Sequence, residues 1–153
     1  MTTPRPDHPL DTVLAQARMQ ADRYPGTLAG LAAATGRVAT ALETSPNTLA
    51  QCLAGLTGCA LTWLDTLGTA EDPDHAVRDT YDRADPLDEC MSLDTTVPGT
   101  VRLTAIIEEL GQLARTGPYD HNPTATPDHQ LAASLTDIAA LATTWQATQE
   151  HPA

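Results

Sequence analysis

The sequence predicts an all-α protein, a single-domain helical bundle of about five main helices spanning residues 1–153. Three observations carry that prediction. Leu and Ala dominate the apolar residues, Phe is absent and aromatics are only 3%, an apolar set with little β-branching that favours helix over sheet. Apolar residues recur at three- and four-residue spacing, and nowhere do they alternate with period two. The chain also repeats itself. Leu49 to Trp63 (LAQCLAGLTGCALTW) lies over Leu131 to Trp145 (LAASLTDIAALATTW) at an offset of 82, with six of fifteen pairs identical, both tryptophans among them. Leu28 to Ala39 lies over Leu103 to Ala114 at an offset of 75, and Pro-Gly-Thr precedes each copy, at Pro25-Gly26-Thr27 and Pro98-Gly99-Thr100. Two copies are too few for a solenoid. Two related helical hairpins packed with pseudo-twofold symmetry are the expected arrangement.

The elements follow in order. Residues 1–9 are a Pro-rich tail. Leu10, Val13, Leu14 and Ala17 stripe a first helix that ends before Pro25, and Leu28, Leu31, Val38 and Leu42 stripe a second. Ser45-Pro46 is a start signal, a hydroxyl cap followed by proline in the first turn, for a third helix carrying Leu49, Leu53, Leu56, Ala60, Trp63, Leu64 and Leu67. Repeat one is thus about 27–67. Residues 68–97 form an acidic connector, in which Asp72-Pro73 can cap a short helix through Arg83 before Pro86 stops it. Repeat two is about 100–148. Leu103, Ile106, Ile107, Leu110 and Leu113 stripe its first helix, Gly117 to Pro127 is loop, and Thr126-Pro127 opens a last helix carrying Leu131, Leu135, Ile138, Ala142 and Trp145. The least exposed side chains are expected to be Leu53, Leu56, Trp63, Leu110, Leu135, Ile138 and Trp145.

Charge narrows the function classes. Eight Arg and no Lys stand against 20 acidic residues, a formal charge of −12, and ten of those acids fall between Asp65 and Asp94. Such a field repels polyanions and argues against direct binding of nucleic acid or an anionic membrane. It suits a divalent cation, or simply a solvated acidic surface. Cys52, Cys59 and Cys90 form no C-x-x-C pair, so a zinc knuckle is not supported, and Cys52 and Cys59 are read as packing residues. The first residues carry no apolar leader stretch, and the weakly polar run from Leu49 to Leu67 is a core helix rather than a membrane span, which makes a cytoplasmic location the expectation. No phosphate loop of the G-x-x-x-x-G-K form and no nucleophile-elbow pattern occur.

Chemistry concentrates in repeat two. Glu109 and Gln112 are one turn apart on one helix face, and Ser134 and Asp137 are similarly spaced on the last helix. If these helices pack antiparallel, the four positions converge. Carboxylates meeting between helices suit Mg²⁺, which takes oxygen ligands and keeps waters for a substrate phosphate. Repeat one holds Ala34, Arg37, Cys52 and Gly55 at the same places, and Ala33 where repeat two has Glu108.

The segments IIEELGQLAR and LTDIAALATTW resemble the stretches that carry the E-x-x-E and E-x-x-D signature of the MazG-like, all-α nucleoside triphosphate pyrophosphohydrolases, above all its short actinobacterial and phage-encoded members. The likeness covers Thr100 to Thr148 and reaches Thr27 to Leu67 only through the internal repeat. It implies a MazG-like bundle and Mg²⁺-dependent hydrolysis of a nucleoside triphosphate to monophosphate and pyrophosphate. Position by position, Glu109 matches the first Glu and Asp137 the final Asp, whereas Gln112 and Ser134 stand where two further Glu are expected. The implied metal ligands are therefore Glu109 and Asp137, with Glu108 in support, although Glu108 turns about 100° away on the helix. No catalytic or substrate-binding residue is assigned.

Other readings stand beside this one. Glu108 and Glu109 are then solvated surface acids, Asp137 is a partly buried polar residue, and the chain is a pseudoenzyme serving as a protein–protein interaction module. In a third, another chain, a second copy of this one included, or the acidic connector completes the site. Asp120-His121 and Asp128-His129 flank a loop as weaker metal candidates. Trp63 and Trp145 are read as matched core anchors.

Overall fold

A computed structural model describes residues 8–68, 72–116 and 127–150, which form six α-helices with no strand among them. The helices are α1 (Asp11–Met19), α2 (Leu28–Thr44), α3 (Leu49–Leu67), α4 (Pro73–Arg83), α5 (Gly99–Thr116) and α6 (Pro127–Glu150). The sixth helix, beyond the five main ones expected, is α4 in the connector. There the Asp72 carboxylate accepts from the Asp74 N–H at 3.3 Å, and Pro73 occupies the first turn, where its missing N–H costs nothing.

Helix starts are only partly where the sequence signals put them. Thr27 caps α2, its hydroxyl accepting from the Gly30 N–H at 3.1 Å. Ser45 makes no side-chain cap bond, and the chain passes through a 3-10 turn at Pro46–Thr48 before α3 begins. At the other end of α3, Gly68 takes the left-handed conformation, φ 63°, that closes a helix without steric penalty. Thr126 and the Pro-rich tail to Asp7 lie outside the described residues.

Two helices form the centre. α3 and α6 make the most extensive contact, with α1 and α2 packed on α3, and α4 and α5 packed on α6. From Ile138 to Thr148 every residue of α6 is buried. Two of its buried threonines satisfy their hydroxyls within the helix, Thr136 donating to Ala132 O at 2.7 Å and Thr148 to Trp145 O at 2.6 Å.

The core contains most of the residues expected there. Leu53, Leu56, Leu135 and Ile138 are fully buried, and Trp63 and Trp145 nearly so. Leu110 is only half-buried, and Ile107, also assigned to the apolar stripe, is 49% exposed. The cause is the narrowness of the α5 contact. Ile106 and Leu113 occupy the face turned inward, and Ile107 lies about 100° around the helix from Ile106.

Side chains tie the connector to the rest. Arg18 on α1 binds Asp74 on α4 and Asp65 at the end of α3, Arg78 donates to Asp11 at 2.7 Å, and His8 Nε2 lies 2.9 Å from Asp82. The residue pairs run in opposite order along the two helices, so α1 and α4 are antiparallel. Arg102 is 2% exposed and donates to the carbonyls of Cys90, Ser92 and Asp94, fastening residues 90–94 onto α5. No helix among the described residues is long and apolar enough to cross a membrane.

Candidate carboxylate site between two helices

The region singled out by sequence lies where α5 packs on α6. Trp145 meets the start of α5 at Gly99, where an added Cβ would stand 3.2 Å from its ring, while Glu109, ten residues on, feels the charge of Asp137, eight residues before Trp145. The two helices are therefore antiparallel, as the convergence of the site required. Glu109 and Asp137 are both half-buried.

Their surroundings penalise charge. Burial pushes the Glu109 carboxyl above the usual carboxylate range, and the Asp137 and Glu108 carboxylates push it further. Burial raises Asp137 as well. Two acids held this way share one neighbourhood and gain from any positive charge placed between them, whether a proton or a cation.

The remaining candidates are less concentrated. Ser134 is half-buried and Gln112 exposed, one turn farther along the two helices. Glu108 is exposed and lines a separate open depression of about 390 Å³ with Cys90, Thr100 and Thr104. No group of three or more His, Cys, Asp and Glu among the described residues is arranged to hold a metal ion. Asp120, His121 and the side chains of Asp128 and His129 lie outside the described residues.

The matched positions of the first repeat are filled differently. Ala34 is fully buried, and a Cβ built on Gly55 would stand 3.2 Å from the Tyr24 ring. An aromatic edge therefore borders position 55, whose counterpart is Asp137. Arg37 is exposed and Cys52 half-buried. Sequence reasoning missed Tyr24, although its place just before Pro25-Gly26-Thr27 was a usable signal. Val97 precedes the second Pro-Gly-Thr and is smaller.

Two of the cysteines are held away from the thiolate form. All three are free thiols, burial pushes Cys59 up to about 11, and burial also raises Cys90.

No protein-family model matches the chain, and no curated protein or solved structure matches it either.

Proposed function

We propose that this chain is a diverged, internally duplicated relative of the MazG-like nucleotide pyrophosphohydrolases, and that Glu109 and Asp137 bind a nucleotide through Mg²⁺. The duplication reading gains support from the packing order, α1 and α2 on α3 against α4 and α5 on α6. The observation that carries the functional reading is that Glu109 lies within electrostatic reach of Asp137 across antiparallel helices, in surroundings that raise both pKa values.

The donor set fits Mg²⁺ only in company. Two carboxylates are the number that Mg²⁺ commonly takes from a protein when substrate phosphates and waters complete its shell. When bound, Mg²⁺ would neutralise the phosphates and polarise the α–β linkage toward attack by water. Glu109 and Asp137 would fix the phosphate end of the nucleotide between α5 and α6. Glu108 would add negative charge that favours the cation without reaching the same face. If hydrolysis survives, water adds across the α–β linkage and the triphosphate leaves as monophosphate and pyrophosphate.

A second reading, a non-catalytic helical module for protein–protein contact, is favoured by Gln112 and Ser134 standing where two further Glu are expected, with all four positions lost in the first repeat. Isothermal titration with Mg²⁺ and a panel of nucleoside triphosphates separates the two. The first reading expects micromolar nucleotide binding that needs metal and falls at least about tenfold in Asp137→Asn. Silence across the panel leaves the interaction module. Gln112→Glu together with Ser134→Glu is expected to strengthen Mg²⁺ binding and, if chemistry remains, to raise pyrophosphate release.

A further inference from the structure

A different part of the molecule carries a feature the carboxylate pair does not explain. Gln146 sits on the fully buried stretch of α6 and is 1% exposed. Its Nε2 donates to Gln16 Oε1 at 2.8 Å, yet its own Oε1 is buried without a hydrogen-bond partner among the described residues. Turning the amide over exchanges which atom is unpaired and leaves the deficit in place. A buried polar atom without a partner is costly, and native cores carry few of them.

The orphaned amide lines a cleft of about 410 Å³ between α1, the 3-10 turn before α3, α3 itself and α6. Four more carboxamides surround it: Gln16 from α1, Gln20 just beyond its end, Asn47 from the turn and Gln51 from α3. Ala50 and Ala54 line the α3 wall, and Met19, 84% exposed, stands at the rim. Among the described residues no charged side chain lines the cleft, in a chain of net charge −12. Anions therefore find no counter-charge there, and cations find no carboxylate.

We propose that this cleft binds an uncharged, planar ligand bearing adjacent N–H and C=O groups, a carboxamide or lactam, with Gln146 as its buried anchor. Gln146 is covered by its own partner Gln16, which is only half-buried, so binding would require the Gln16 side chain to swing aside. The ligand's N–H would then satisfy Gln146 Oε1 and its C=O would accept from Gln146 Nε2, the two-point pairing that carboxamides make with one another. Small Ala walls leave room for a flat ring, and the Met19 thioether offers it a polarizable flank. The site is separate from the carboxylate pair: Asp137 and Gln146 are nine positions apart on α6, about 13 Å of helix rise.

The test is an NMR titration of the full chain with benzamide and pyrrolidinone, with benzoate as the charged control. The side-chain NH₂ resonances of Gln16 and Gln146 are expected to shift saturably with both amides and not with benzoate. Gln146→Leu, which removes the unpaired atom, should weaken benzamide at least about tenfold. Ala50→Phe, which fills the cleft from its wall and leaves Gln146 intact, should abolish the shifts and keeps the test open if Gln146→Leu does not fold. Unsaturable shifts, or shifts unchanged in the variant that folds, overturn the proposal. So does a long-lived water detected beside Gln146 that saturating benzamide does not displace, since the amide would then be satisfied by structural water.

Discussion

The helices before residue 68 and those after it share a sequence repeat and are equipped differently. In the first set, position 34 is a buried Ala and position 55 a Gly bordered by the Tyr24 ring. In the second, the matched positions hold Glu109 and Asp137, two acids whose charge the surroundings penalise. Apolar contact in the first set needs no further partner. The acids of the second set leave a charge deficit that a proton or a cation would relieve. Where one architecture carries both solutions, the costly one marks the place to look for function.

The comparison is tested most strongly in the core. Leu53 and Leu135 stand at matched positions and are both fully buried. Replacing either with Ala should cost about 2–5 kcal/mol in denaturant melts. Losses that differ severalfold between the two would show that the halves are not packed equivalently.

A smaller effect tests where they diverge. A Cβ at Gly58 would lie 2.6 Å from the Ala17 carbonyl oxygen of α1, whereas the matched position in α6 is Ala140, fully buried. α1 thus approaches α3 closely enough to require a glycine. Gly58→Ala should destabilise by about 1–3 kcal/mol, because the contact is with backbone that cannot swing aside. A neutral result would remove the close approach.

The acidic pair predicts a pH dependence with a definite sign. Raised folded-state pKa values mean that the native chain holds these protons more tightly than the unfolded one. Their contribution is fully present below the ordinary carboxylate range, near pH 4, and is lost as pH rises through the raised values. Asp137→Asn should therefore raise the melting temperature at pH 7 by a few degrees and change it little below pH 4. Gly55→Asp, placing an acid beside Tyr24, should lower it at pH 7. A variant Asp137→Asn that melts lower at neutral pH without metal would contradict the charge penalty.

The smallest effect belongs to the ion pairs between α1 and α4. Arg18 and its partners Asp65 and Asp74 are partly solvated, so Arg18→Ala should cost about 1 kcal/mol or less. The difference should shrink further in high salt, measured by melts at two ionic strengths. A large, salt-insensitive loss would mean that the arginine's methylene stem, rather than its charge, holds α4.

What the sequence determined by itself was whatever local chemistry decides. Leucine and alanine at helical spacing made the helices, and Asp72-Pro73 placed the start of α4. The offset between repeats singled out Glu109 and Asp137 before any packing was known. The tertiary structure decided which faces were covered. Periodicity assigned Ile107 and Leu110 to a buried stripe, but α5 turns inward the face that carries Arg102, Ile106 and Leu113, leaving Leu110 at its margin and Ile107 outside it. Arg102 was unremarked as one arginine among eight, and only folding brought three backbone carbonyls around it. Gln146 belongs to the same class. Its five-amide cleft draws on α1, α3 and α6 together, elements up to 130 positions apart, and no local pattern records which side chains meet across such a distance. A helix's own spacing sets the direction of each side chain, while the partner it finds there depends on every other helix in the bundle.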